Sequence, residues 1–117
     1  MRATGCFAVH VPDLELEPDP LDPASILDGA PEAFNHVVWQ SDDGRVIRGV
    51  WQMTPGTAAD TEANEMFVVI SGRATIMPDG GEPYDVGPGA LGVLEEGART
   101  TWVVHETLRK AYQILLP

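Results

Sequence analysis

From residue 36 onward, apolar and polar side chains alternate with a period of two, the pattern of half-buried β-strands. HVVWQS (36–41) and RVIRGVWQMT (45–54) flank Asp42-Asp43-Gly44. The glycine of that turn can take a positive φ, so the two runs predict a hairpin. EMFVVI (65–70) and RATIM (73–77) flank Ser71-Gly72 and predict a second one. Further short runs follow at 84–86, 90–94, 99–104 and 107–116, separated by PDGGEP, GPG and EEGA. Roughly eight short strands broken by Gly, Pro and Asp turns predict an all-β antiparallel sandwich or barrel. No stretch keeps a helical period beyond two turns, and no internal repeat is present.

The first third follows a different rule. Residues 12–34, PDLELEPDPLDPASILDGAPEAF, hold five of the ten prolines and seven acids. Proline lacks an amide donor and restricts its predecessor, which excludes a central strand or a long helix. The segment is expected to be an extended arm with at most one helical turn, at Ala24–Leu27, pinned by Leu14, Leu16, Leu21, Ile26 and Leu27. The predicted division is an N-terminal arm over 1–35, packing on the barrel or on a partner subunit, and a barrel over 36–117.

Charge narrows the partners. Seven Lys and Arg stand against eighteen Asp and Glu, a net charge of −11. Such a surface repels phosphate backbones and anionic lipid, so neither nucleic acid nor membrane is an expected partner. No apolar run approaches the ~20 residues of a spanning helix. The opening MRATGCFAVHVPDLELEPDP lacks the apolar stretch of a secretory signal. The single cysteine, Cys6, precludes an internal disulfide framework and fits a reducing, cytoplasmic setting.

Two spaced sets of residues carry the candidate chemistry. Gly56 is followed by Glu65 and, six residues beyond that, by Gly72; further on come Gly89, Glu95, Gly97 and Thr100. These positions resemble the two motifs of a small cupin, a double-stranded β-helix or jelly-roll barrel. In that pattern a glycine leads to His-x-His, then three or four residues to Glu and six more to Gly; the second motif ends in a further His. The blocks GVWQMTPGT, NEMFVVISGRATI, VGPGALGVLEEGARTTWVV and ETLRKAYQIL, and the acidic arm, resemble the cupin subfamily that includes ureidoglycine aminohydrolase and the ethanolamine-utilisation cupin.

The resemblance implies a jelly roll with Glu65 facing inward. With three residues before Glu65, the histidine slots hold Ala59 and Thr61; the second-motif slot holds Thr100. A divalent first-row ion wants several imidazole, carboxylate or thiolate donors converging at about 2.0–2.2 Å. Alanine offers none and a neutral hydroxyl is a weak ligand, so no metal or other cofactor is expected. A rearranged site built from Glu65, Glu62, Asp60 and one of His10, His36 or His105 is the alternative.

Alternation from Glu65 puts Phe67 and Val69 on its face, and alternation from Thr100 adds Trp102 and Val104. The expected pocket is therefore Ala59, Thr61, Glu65, Phe67, Thr100 and Trp102, joined by Lys110 and Tyr112 if their face of the last strand looks inward. Otherwise those two lie on a solvated edge. Lys110 and Tyr112 facing inward could hold an anionic ligand. A buried carboxylate at Glu65 needs a partner, for which Arg48, Arg99, Lys110 and the Trp39 or Trp51 indole are candidates. The expected function is metal-independent binding of a small metabolite by a homodimeric cupin. The alternatives are a hydrolase similar to ureidoglycine aminohydrolase, with Glu65 as acid, base or metal ligand, and a dimeric structural module without ligand.

Overall fold

The structure, a computed structural model, describes residues 5–117. Among the described residues nine strands run in chain order: β1 (Glu17–Pro18), β2 (Ile26–Asp28), β3 (Ala33–Gln40), β4 (Val46–Met53), β5 (Gly56–Thr61), β6 (Asn64–Pro78), β7 (Tyr84–Val86), β8 (Leu91–Leu94) and β9 (Arg99–Leu115). Their pairings are all antiparallel. The predicted β3–β4 hairpin forms, with Gly44 at φ +73° in its turn.

Two long bent strands organise the rest. The first half of β6 pairs with the second half of β9 (Phe67 opposite Tyr112), and the second half of β6 with the first half of β9 (Ile76 opposite Trp102). On the outer edges, β4 continues the sheet from the second half of β9 and β5 from its first half. Strand β8 flanks the first half of β6, and β7 flanks the second. Two curved layers, β1-β3-β4-β9-β6-β8 and β2-β5-β9-β6-β7, thus share one strand pair. Between them lie Met53, Phe67, Val69, Ala74, Ile76, Trp102, Val104 and Leu108, all buried. This is the all-β antiparallel jelly roll expected from the sequence.

The shared pair overturns one expectation. Ser71-Gly72 is not a hairpin turn but a bulge inside β6, where the register against β9 slips between Val69 and Ala74. The slip moves the inward positions from 65, 67 and 69 to 74 and 76, which keeps apolar residues facing the core on both sides of the bend. Gly72 sits there at φ +86°, and a Cβ on it would come 2.0 Å from the Thr107 carbonyl oxygen. A glycine that permits a close crossing looks, in sequence, like a glycine in a turn. Likewise the runs at 99–104 and 107–116 are one continuous strand, β9. The polar run Gly56–Thr61 shows no apolar alternation, yet it is strand β5 because β2 and β9 hold it from both sides.

The arm lies along its own barrel. Its short strands β1 and β2 pair with β3 and β5, and a 3-10 turn spans Pro23–Ser25. Prolines remove donors but leave carbonyls, and Arg109 collects them: its Nη1 donates to the carbonyls of Val11, Pro12 and Leu14, at 2.7, 3.3 and 2.9 Å. Leu14, Leu16, Leu21 and Ile26 are half-buried, but Leu27, expected to pin the arm, is exposed, because Ile26 takes the inward place in β2. The first four residues of the arm lie outside the described ones.

Gly72→Ala is expected to cost about 3 kcal/mol or more, from left-handed strain plus the clash with Thr107. Urea denaturation monitored by tryptophan fluorescence measures the loss; a midpoint equal to wild type would contradict the crossing.

Candidate functional site

Inward positions of β9 are even-numbered on both sides of the exposed stretch 105–107, which brings Thr100, Trp102, Lys110 and Tyr112 to one interior. Across the sheet, Lys110 pairs with Trp51 of β4 on one side and Val69 of β6 on the other. A cavity of about 850 Å³ opens between the layers. Its wall includes Trp51, Ala58, Glu62, Glu65, Thr100, Trp102, Lys110 and Tyr112. The arm closes another side, contributing Asp19, Pro20, Leu21, Asp22 and Ser25 from the span between β1 and β2.

The centre of this interior is an ion pair. Lys110 Nζ donates to Glu65 Oε2 at 2.5 Å, and both side chains are 8% exposed. Three aromatic rings surround the ammonium, with centroids 4.8 Å (Trp51), 4.8 Å (Phe67) and 4.7 Å (Trp102) away. Ring faces carry negative charge density, so they offset part of what the ammonium loses on leaving water. Phe67 and Trp102 meet at a 47° tilt, and Trp51 stands edge-on to Trp102 at 68°. Gly92 makes room for this arrangement, since a Cβ there would lie 2.1 Å from the Phe67 ring. Of the partners considered for Glu65, the fold selects Lys110.

A second acid, Glu62, is held at the other end. Its Oε2 accepts from Thr100 Oγ1 at 2.6 Å and from Trp102 Nε1 at 3.0 Å. Its backbone exchanges hydrogen bonds with the 95–98 turn, through the Ala98 carbonyl and the Gly97 amide, both at 2.8 Å. Asp60 stands beside it at the cavity mouth. Burial, and then the neighbouring Glu62 carboxylate, push the Asp60 carboxyl up from 3.8 to about 6. An acid raised in this way stabilises the fold fully below pH ~4 and loses that contribution as pH rises through about 6. Tyr112 is also raised, by burial, and donates to Asn35 Oδ1 at 2.7 Å.

Most of the expected pocket residues come together here, with two adjustments. Phe67 is buried beneath the cavity, in the core and against the Lys110 ammonium, rather than in the wall. Ala59 and Thr61 border the cavity, but the β5–β9 register sets Ala58 opposite Trp102 and Asp60 opposite Thr100. Paired residues in an antiparallel sheet share a face, so the inward side chains are Ala58 and Asp60. The four-residue spacing of the motif, counted back from Glu65, lands on those two positions; the three-residue spacing does not. Glu62 as a buried anchor, and Trp51, Asn35 and the arm's Asp19 and Asp22, had no motif to mark them. Lys110 and Tyr112 face inward, but Glu65 neutralises Lys110, which removes the basis for an anionic ligand.

The donor set does not fit a cupin's metal. Of the inward slots, Ala58 offers no donor, Asp60 offers one carboxylate and is bonded to Glu62, Thr100 is also bonded to Glu62, and Glu65 is bonded to an ammonium. The histidines are engaged elsewhere: His10 with Asp13, His36 with Glu17 and His105 with Thr75. Among the described residues no three His, Cys, Asp or Glu converge as a ligand group.

Two antiparallel layers closing on a polar interior, with the first motif's acid at Glu65 and the second motif ending at Thr100, define the class: this is a small cupin. The EutQ-like cupin domain family model matches residues 34–112, and the chain belongs to that family. No curated protein matches the sequence. Among solved structures, the EutQ protein of Clostridium difficile is 18% identical, with a TM-score of 0.76 over 98% of this chain and 90% of its own. A protein of unknown function from Pseudomonas syringae pv. tomato is 23% identical, with a TM-score of 0.78 over 87% of this chain and 45% of its own. The cupin domain of Schizosaccharomyces pombe Cnp3 is 9% identical, with a TM-score of 0.69 over 94% of this chain and 74% of its own. At these identities the likeness is one of fold.

Glu65→Leu and Lys110→Met are each expected to lose about 3–5 kcal/mol, since each strands a buried charge. The double variant Glu65→Leu with Lys110→Met is expected to lose less than the sum. Equilibrium unfolding of the three variants tests this; additive losses would show that the two groups do not interact.

Proposed function

We propose that this protein is a metal-independent cupin that binds a small metabolite in the cavity between its two layers. One observation carries the reading: about 850 Å³ of space is kept beside residues already bonded to one another rather than poised for an ion. Mostly apolar walls with a few convergent polar groups are the usual make-up of small-ligand sites. Tryptophans 51 and 102 give the apolar wall, while Asn35, Tyr112, Asp60 and Glu62 give polar contacts. The hydrolase reading has less support, because Glu65 is committed to Lys110 and is a poor general acid or base while that bond stands.

A separate observation favours a homodimer. The outer face of β6 and β8 exposes Met66 (46%), Val68 (37%), Leu91 (62%) and Val93 (73%) side by side. These four carry no charge in a chain of net −11, so two copies can meet here without bringing carboxylates together. Among the described residues strand β8 pairs with β6 alone, which leaves it an edge.

Protein purified without chelator is expected to hold far less than one equivalent of transition metal, to keep its melting temperature in EDTA, and to gain melting temperature with members of a metabolite library. Stoichiometric metal whose removal lowers the midpoint would overturn the metal-independent reading. For the dimer, Val93→Asp is expected to halve the mass seen by light scattering while leaving the fold intact. A wild-type protein that is already monomeric would refute the interface.

A further inference from the structure

The carboxylates around the cavity outnumber the cations. Asp19, Asp22, Asp60, Glu62, Glu65 and Asp79 line it, against Lys110 and Arg99. Lys110 is spent on Glu65, inside its cage of rings. Arg99 is exposed at the rim and pairs across the sheet with Thr61, on the face away from Glu62. Asp22 caps the 3-10 turn, accepting from the Ala24 amide at 3.0 Å. Of the four acids that remain, Asp19, Asp60 and Asp79 are exposed and Glu62 is the buried one, 6% exposed, its bonded oxygen met by a hydroxyl and an indole N–H. Both donors are neutral, so they satisfy its geometry and leave its charge unmatched. Asp60 stands next to it, and burial first, then the charge of Glu62 and a hydrogen bond to it, push the Asp60 carboxyl up to about 6.

Burying a carboxylate beside a second one is unfavourable unless a positive charge is available. The whole chain, at net −11, draws cations toward the cavity. Beside the two acids stand Trp51 and Trp102, apolar walls suited to a hydrocarbon body rather than to a hydrated inorganic ion. A metal ion would also need ligands that Glu65 and Thr100 have already committed.

We infer that the cavity takes a small organic cation, a protonated amine or amidine, with its charged head against Asp60 and Glu62 and its carbon body along Trp51 and Trp102. The inference rests on the small-ligand reading above and names the class of ligand. It also assigns the arm a function. The span between β1 and β2 brings Asp19, Leu21 and Asp22 over the same space, so the arm supplies one wall of the binding site and adds to its negative potential.

Three probes of one size and three charges test it: n-butylamine, n-butanol and butyrate at neutral pH and low salt, with agmatine as a longer dication that carries a guanidinium and an ammonium. Binding is followed by the indole N–H resonances of Trp51 and Trp102 in the full-length protein. The amine and agmatine are expected to shift both indoles saturably, while butanol and butyrate at equal concentration do not. Asp60→Asn, at the solvent-facing mouth where the fold tolerates an amide, is expected to weaken cation binding about tenfold or more. Should butanol or butyrate bind as well as the amine, the cation inference fails while the small-ligand reading stands. Should no probe of any charge reach the indoles, both fail. Shifts by the amine that persist unchanged in Asp60→Asn would mark general counter-ion attraction and overturn the proposed site.

Discussion

A buried carboxylate needs a positive charge close at hand, and the interior of this barrel is built around that requirement. Glu65 projects from β6 into a space lined by tryptophan and phenylalanine, where a bare charge would cost several kcal/mol. Lys110 answers it from β9, which lies between β4 with Trp51 and β6 with Phe67, so one ammonium is matched by one carboxylate and three ring faces. The pair spans the two long strands that both layers share. Its geometry therefore depends on the β6–β9 register, and that register is in turn favoured by the match.

The bulge at Ser71-Gly72 is what allows one strand pair to serve two layers. Without the slipped register, the apolar face of β6 would turn outward after the bend, and Ala74 and Ile76 would leave the core. With it, β6 and β9 curve together and a cavity opens at the seam. The arm is held at two places: Arg109, on the outer side of β9, binds carbonyls of Val11, Pro12 and Leu14, and β1 and β2 pair with β3 and β5 on either side of the span that lines the cavity. Arg109 and Lys110 are neighbours in sequence and opposites in role. One holds the arm outside; the other neutralises the acid inside.

A scaffold of this kind hosts many chemistries, so function has to be argued from the interior and not from the fold. The interior here separates into a neutral half, Lys110 with Glu65, and an acidic half, Glu62 with Asp60. The neutral half is closed to further partners by its own bonds. The acidic half has hydrogen-bond donors but no cation among them, and it is the half that faces the mouth.

By itself the sequence established the all-β architecture, since period-two alternation and Gly/Pro punctuation are local signals that survive without a partner strand. The same parity groups Glu65 with Phe67 and Val69, and Thr100 with Trp102; that these faces look inward is what the resemblance to a cupin implied. What alternation could not supply was register between strands distant in the chain. That register decided that Ser71-Gly72 is a bulge, that polar Gly56–Thr61 is a strand, and that Ala58 and Asp60, not Ala59 and Thr61, turn toward Trp102 and Thr100. Partner choice was equally out of reach. Lys110 lies 45 residues from Glu65, and Glu62 lies 38 residues from the Thr100 that holds it. Contacts of that span exist only once the sheets have closed, because side-chain charge is written in the sequence while its distance to an opposite charge is not.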